Sequence, residues 1–371
     1  MATIQTSAEP ALEVACDESG WEGTNLAAAN SDVIAHASIR LPMEVAAEVI
    51  RALRGLSDQR SYEFKASHLI RRKGVDGLAV FLGPSGPVYG RARVHLTHKS
   101  CFVIGRILDL FIGGAVDAST VGLRPDQRIA GLAARLCRTG PDTYGRGPWR
   151  AFLSAANVVL RADRRGLVRE PVDAFFDQVE VLRNQDGGGD LDELHDRRQD
   201  AYAARAQLLD DQVLHPVLEP LIPALARTVL HWSRGVHPVA VIHDEQSALT
   251  ERRMRRLEQV LAAPPLELIR LPARGHFIQF RQVDSRTDPR VQVADLLAGV
   301  ARKVATDDLL GRSDPDLTAL LRPYVDPASR WCEQLTDGRP PPPRTARRLE
   351  RRGPAESTAT GLAPRPEAHD E

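Results

Sequence analysis

Lysine is scarce in this chain. Lys65, Lys73, Lys99 and Lys303 are the only lysines among 49 basic residues, and arginine supplies the rest. This is read first as a composition bias without functional content. It does single out Lys65 and Lys99, which lie beside acidic and strand-end motifs. Cysteine is also sparse. Cys16, Cys101, Cys137 and Cys332 form no C-x-x-C pair, which argues against a zinc ribbon or a thioredoxin-like dithiol motif. There is no charged leader followed by an apolar run, so no signal peptide is expected. No stretch approaches about 18 uninterrupted apolar residues, so no membrane span is expected. Together these absences lead to the expectation of a cytoplasmic protein with free thiols and no membrane partner. Net charge is absent too: 49 basic residues face 49 acidic ones. A global excess of positive charge therefore does not drive nucleic-acid binding, although a local basic face would serve as well.

The apolar pattern along the chain alternates between strand and helix signatures. Leu12 to Cys16 is a short apolar run that ends in Asp17-Glu18-Ser19-Gly20. It reads as a buried strand entering a turn. Val33 to Leu41 reads as a second strand, followed by a helix opened by Pro42. Val88 to Leu96 reads as a third, and Cys101 to Ile112 as a buried helix. Residues 120–235 read as helical throughout, broken by Asp186-Gly187-Gly188-Gly189-Asp190, a glycine run without the Lys-Ser/Thr of a phosphate-binding loop. Strand patterns return at Val239 to His243, Leu266 to Leu271 and Phe277 to Val283. Helices follow at Ser247 to Ala262 and Val291 to Asp307. Residues 1–10 and 331–371 are expected to be disordered. The latter carries Pro340 to Pro343 and an arginine-rich patch, and it cannot bury a core. The expected organisation is an α/β core in two parts, 11–119 and 236–330, sharing one mixed sheet. A helical insertion over 120–235 is expected to pack as a subdomain.

Three carboxylate positions stand out against this pattern. Asp17 and Glu18 follow the first strand, and Asp244 and Glu245 follow Val239 to His243. Asp295 sits in the otherwise apolar helix Val291-Gln292-Val293-Ala294-Asp295-Leu296-Leu297-Ala298-Gly299. Acidic groups beside buried elements are costly unless a cation, a basic side chain or a helix N-terminus neutralises them. Gln292, Asp295, Gly299 and Arg302 share one helical face. Gly299 would permit close backbone approach there, and a plain solvent face is the competing reading. Asp244 could instead cap a helix, and Asp17 could satisfy turn amides.

These elements resemble the bacterial and archaeal domain-of-unknown-function family numbered 3800. The resemblance rests on Asp17-Glu18-Ser19-Gly20, on Gln292-x-x-Asp295 with the following Leu296-Leu297-Ala298-Gly299, on His243-Asp244-Glu245 and on Asp284-Ser285. Glu63-Phe64-Lys65 matches a short acidic–x–basic element of that family. The likeness covers residues 12–112 and 236–307 and leaves the helical insertion and the tail unaccounted for.

The resemblance implies a ribonuclease-H-like mixed sheet, with aspartates on the first strand, at the end of the fourth and on the last helix. Asp17, Asp244 and Asp295 take those places in chain order. It further implies a nuclease-like hydrolase holding Mg²⁺ or Mn²⁺ through Asp17, Asp244 and Asp295, with nucleic acid as partner. The three carboxylates are expected within metal-bridging reach of one another. Glu18 or Glu63 would add a ligand or orient water. Gln292 would position Asp295, and Lys65 and Lys99 would meet phosphate. The alternative is a non-catalytic interaction or nucleic-acid-binding protein on the same scaffold. A third reading, zinc held by His95 and His98 with the carboxylates, has only an isolated His-x-x-His pair behind it.

Overall fold

The computed structural model describes residues 10–29, 31–55, 66–69, 75–113, 127–161, 168–186, 189–209, 217–262 and 275–329. Glu63, Lys65, the strand expected over Leu266 to Leu271 and the tail from 331 onward lie outside the described residues. All described residues belong to one compact unit spanning Met1–Asp337.

The described strands form one five-stranded sheet. They are β1 (Leu12–Ser19), β2 (Val33–Ile39), β3 (Ala92–His98), β4 (Val239–Asp244) and β5 (Phe277–Val283), and their spatial order is β3-β2-β1-β4-β5. β1 runs antiparallel to β2, and β2 antiparallel to β3. β4 runs parallel to both β1 and β5. The parallel neighbours are separated by long helical crossovers, as parallel pairing requires. The central strands are buried on both faces and read as near-continuous apolar runs.

Helices cover the two faces. α1 (Met43–Gly55), α2 (Ala66–Leu69) and α3 (Val75–Leu82) follow β2. α4 (Lys99–Phe111), α5 (Gln127–Thr143), α6 (Arg146–Leu160), α7 (Arg169–Asp186), α8 (Asp192–His195), α9 (Arg198–Leu209) and α10 (Leu221–Ser233) lie between β3 and β4. α11 (Glu251–Ala262) joins β4 to β5, and α12 (Pro289–Leu309) and α13 (Pro315–Leu321) follow β5. α12 is apolar nearly all round, with Val291, Val293, Ala294, Leu296, Leu297 and Ala298 buried. Such a helix belongs inside a protein rather than on its surface. It starts at Asp288, whose side chain accepts the backbone N–H of Arg290 at 2.9 Å, with Pro289 in the first turn.

One core joins α12, α1 and α3 to Val33, Ala35, Ala37 and Ile39 of β2. The other joins Val14, Cys16, Val239 and Val241 to Ile104, Phe152, Phe175 and Leu225. The helices over 120–235 therefore share a continuous core with one face of the sheet.

The first strand is longer than its apolar run suggests. It continues through Ser19, with Asp17 opposite Ala37 and Glu18 opposite His36. The turn comes at Gly20, whose φ is +90°. A Cβ there would lie 2.4 Å from the Val33 carbonyl oxygen and 2.6 Å from Arg302 Cδ. Conformation and space both demand glycine at this position. Gly20→Ala is expected to lose about 2–3 kcal/mol of stability in denaturant melts, from backbone strain and overpacking together. An unchanged melt would contradict this account of the turn.

Candidate functional site

Extending β1 by three residues changes the site, because neighbours on a strand point to opposite faces. Ala15 packs with Ile242 and Val291 on the α12 side, and Asp17 shares that side. Glu18 points to the other face with Cys16 and its cross-strand partner His36. The Asp17-Glu18 pair thus serves two different environments.

On the α12 side, Asp17 is buried, with 6% of its surface exposed. Burial pushes its carboxyl well above the usual range. Glu18, Asp295 and Asp244 each push it further up, while the N–H of Glu18, donated to Asp17 Oδ1 at 2.7 Å, pulls the other way. Asp295 from the helix and Asp244 from the neighbouring parallel strand therefore act on Asp17, and no basic side chain stands among these influences. The parallel register sets Cys16 beside His243, which brings the following residues, Asp17 and Asp244, to the same end of the sheet.

The carboxylates do not close into a tight ligand set. Among the described residues, the three metal-type donors lying within 4.8 Å of one another are His98, Cys101 and Cys137. The expectation of mutual bridging reach is corrected to electrostatic proximity. Like charges oppose closer approach, and Asp244 is drawn aside, its Oδ1 accepting the Ser285 N–H at 2.9 Å.

The supporting residues have the following partners. Gln292 donates through Nε2 to the Ser285 carbonyl at 2.8 Å. It therefore fixes the loop that holds Asp244. Asp284 turns outward to Arg286, which holds its carboxyl down at about 2. Lys99 is buried and donates to Ser31 Oγ at 3.3 Å. Burial lowers its pKa, and its charged neighbours are Glu22, Asp32 and Arg302 rather than the aspartates. Glu63 and Lys65 lie outside the described residues. Gly299 meets its expectation: a Cβ there would sit 2.5 Å from the Cβ of Ala66 on α2. Gly299 on this face is packed against α2, while Gln292, Asp295 and Arg302 are half-buried.

The opposite face holds a polar cluster that residue patterns alone do not reveal. Gln246 Nε2 donates to Glu18 Oε1, and Glu18 Oε2 lies 3.7 Å from His243 Nε2. Burial raises the Glu18 carboxyl to about 7, against the Gln246 hydrogen bond. It also lowers His243 to about 4, so the ring is neutral near pH 7 and donates Nδ1–H to the Asp244 carbonyl at 2.9 Å. His36 lies with its ring centroid 5.4 Å from that of His243, and burial lowers its pKa as well. Glu219 joins from the start of α10, accepting Trp21 Nε1–H at 3.0 Å and Leu221 N–H at 3.2 Å. Strand alternation of His36 between Ala35 and Ala37 was the available clue.

A cleft of about 830 Å³ lies elsewhere. It is lined by Glu13, Arg40, Arg91, Trp232, Arg281 and Arg290 among others, toward the beginning of β1. It does not include the aspartates.

Two cysteines depart from the expectation of free thiols. Cys101 on α4 and Cys137 on α5 form a disulfide, with Cα atoms 5.3 Å apart. His98 stands beside these two disulfide sulfurs.

Compared with protein-family models, curated proteins and solved structures, the chain matches none. The likeness to the family numbered 3800 thus rests on the motifs quoted above. No helix among the described residues is long and apolar enough to cross a membrane.

Proposed function

We propose that the chain is a ribonuclease-H-like hydrolase that cleaves phosphodiester bonds of nucleic acid with a divalent cation at Asp17, Asp244 and Asp295. The observation that carries the reading is the electrostatic grouping of these three side chains. They come from β1, the end of β4 and the long helix after β5, with no basic group among the influences on Asp17. The strand and helix placement agrees with what the family resemblance implies.

The donor set fits a hard cation. Carboxylate oxygens suit Mg²⁺ or Mn²⁺, and a buried carboxylate surrounded by others gains most from a positive charge. Asp17, Asp244 and Asp295 would hold the ion, which when bound polarises a phosphoryl oxygen and lowers the pKa of water. The chain's own residues prepare that site. Ser285 N–H fixes one oxygen of Asp244. Gln292 fixes Ser285. Gly20 lets the turn after β1 approach Val33 and Arg302, and Gly299 lets α12 pack against Ala66 of α2. Glu18, held by Gln246, acts electrostatically on Asp17 and Asp244.

The test is cleavage of single-stranded RNA, RNA–DNA hybrid and DNA by the purified full chain, with Mn²⁺ and with excess chelator. Cleavage of at least one substrate that chelator abolishes is expected. Absence of cleavage from every substrate in Mn²⁺ and in Mg²⁺ would favour the non-catalytic binding reading.

A further inference from the structure

We propose that His98, Cys101 and Cys137 form a thiol–disulfide exchange site, which opens and closes the Cys101–Cys137 bond with an external dithiol as co-substrate. The site is independent of the aspartates and of the hydrolase reading.

Three observations carry it. First, the two sulfurs are bonded across neighbouring helices, α4 and α5, with Cα atoms 5.3 Å apart, inside the usual range for a disulfide. Second, His98 Nδ1 lies 2.9 Å from Cys101 Sγ and 3.6 Å from Cys137 Sγ. A purely structural crosslink does not need an imidazole in contact with both sulfurs. Third, Cys101 is the third residue of α4, a helix of 13 residues. The free N–H groups and the dipole of a helix N-terminus favour a thiolate there.

The two sulfurs are not equivalent. Both are nearly buried, Cys137 8% and Cys101 4% exposed, and they differ in that His98 Nδ1 lies nearer Cys101 Sγ, so an incoming thiolate attacks Cys137. Its sulfur forms a bond to Cys137 Sγ while the Cys101–Cys137 bond breaks. The electron pair goes to Cys101 Sγ, the sulfur with His98 and the helix N-terminus beside it. A low-pKa leaving thiol departs faster. Burial keeps His98 mainly neutral, partly offset by Asp32, so its Nδ1–H donates to the Cys101 thiolate without adding charge. The second thiol of the reductant then attacks its own mixed-disulfide sulfur and releases Cys137 as a thiolate, which takes a proton from solvent. One protein disulfide and one external dithiol become one protein dithiol and one external disulfide, with two electrons transferred. The remaining described cysteine, Cys16, is fully buried and takes no part.

The experiment uses the folded full chain carrying Cys332→Ser. The protein is oxidised with glutathione disulfide, reduced with graded dithiothreitol and labelled with a maleimide polymer that shifts gel mobility per free thiol. Two thiols are expected to appear together without unfolding. His98→Asn is expected to slow reduction about tenfold and to alter its pH profile, because the departing Cys101 thiolate loses its donor. The single variants Cys101→Ser and Cys137→Ser should each leave one readily labelled thiol. Three results would overturn the proposal. One is labelling of both cysteines in the oxidised Cys332→Ser chain. Another is reduction only after denaturation. The last is stoichiometric zinc that protects the thiols in place of a disulfide.

Discussion

Asp17→Asn and Asp295→Asn should each lower Mn²⁺-dependent cleavage about a thousandfold, which corresponds to about 4 kcal/mol of lost transition-state stabilisation. The substitution keeps size and removes charge, so the fold is expected to persist. Asp17 is buried and is pushed up by burial and by Glu18, Asp295 and Asp244. Removing its charge therefore relieves repulsion, and the Asp17→Asn chain should melt at or above the wild-type temperature. Lost activity with retained or raised stability separates a functional carboxylate from a structural one. Asp284→Asn provides the contrast. Its carboxylate is engaged by Arg286 at the surface, and the variant should keep near wild-type activity. Equal loss in all three variants would sink the assignment.

Glu219→Gln should make the protein more stable at alkaline pH, an unusual sign for removing an acid. Glu219 is 3% exposed. Burial raises its carboxyl from 4.5 to about 7, with Glu18 adding to the rise and Leu221 N–H, Arg253 and Trp21 opposing it. Between these two values the folded chain holds a proton that the unfolded chain has released. Stability is therefore lost as pH rises through about 7 and is fully present below 4.5. The rise from 4.5 to about 7 corresponds to about 3 kcal/mol. Glutamine keeps an oxygen for the Trp21 and Leu221 donors and carries no charge. Thermal melts at pH 8.5 should place Glu219→Gln several degrees above wild type, with the gap narrowing steadily toward pH 4.5. A gap that is absent at pH 8.5, or that widens in acid, would contradict the burial argument.

Much of the architecture is legible from apolar periodicity, and the misses have physical causes. The cores of β1, β2, β4 and α12 lie where the pattern places them, because each holds a run of buried apolar residues, and β5 lies at its expected place although most of it is exposed. The end of β1 is misread. Asp17, Glu18 and Ser19 look like a turn by polarity, yet they continue the ladder opposite Ala37, His36 and Ala35. Their side chains find local partners, which lets polar residues remain in a strand. That three-residue difference sends Glu18 away from Asp17. The beginning of β3 is displaced for a related reason: Val88 is buried but sits in a turn region before Ala92.

At the candidate site, the sequence names the aspartates but not their connections. Gln292 shares a helical face with Asp295, and from spacing alone the two look like partners. Spacing does not reveal that Gln292 also reaches Ser285, which the loop after β5 brings over the end of β4. The Cys101–Cys137 bond has no local spacing rule to reveal it: the two residues are 36 apart and meet only because α4 packs on α5. The His98-x-x-Cys101 half of that cluster was readable at the junction of β3 and α4, but the second sulfur was not.

Calorimetric titration of Mn²⁺ into the full chain tests the central claim most directly, since it asks for the cation without presuming a substrate. Wild-type protein should bind one or two ions, and the Asp17→Asn/Asp295→Asn double variant should bind none while remaining folded. Binding that is absent in the wild type, or unchanged in the double variant, would contradict the assignment of these aspartates to a divalent-cation centre.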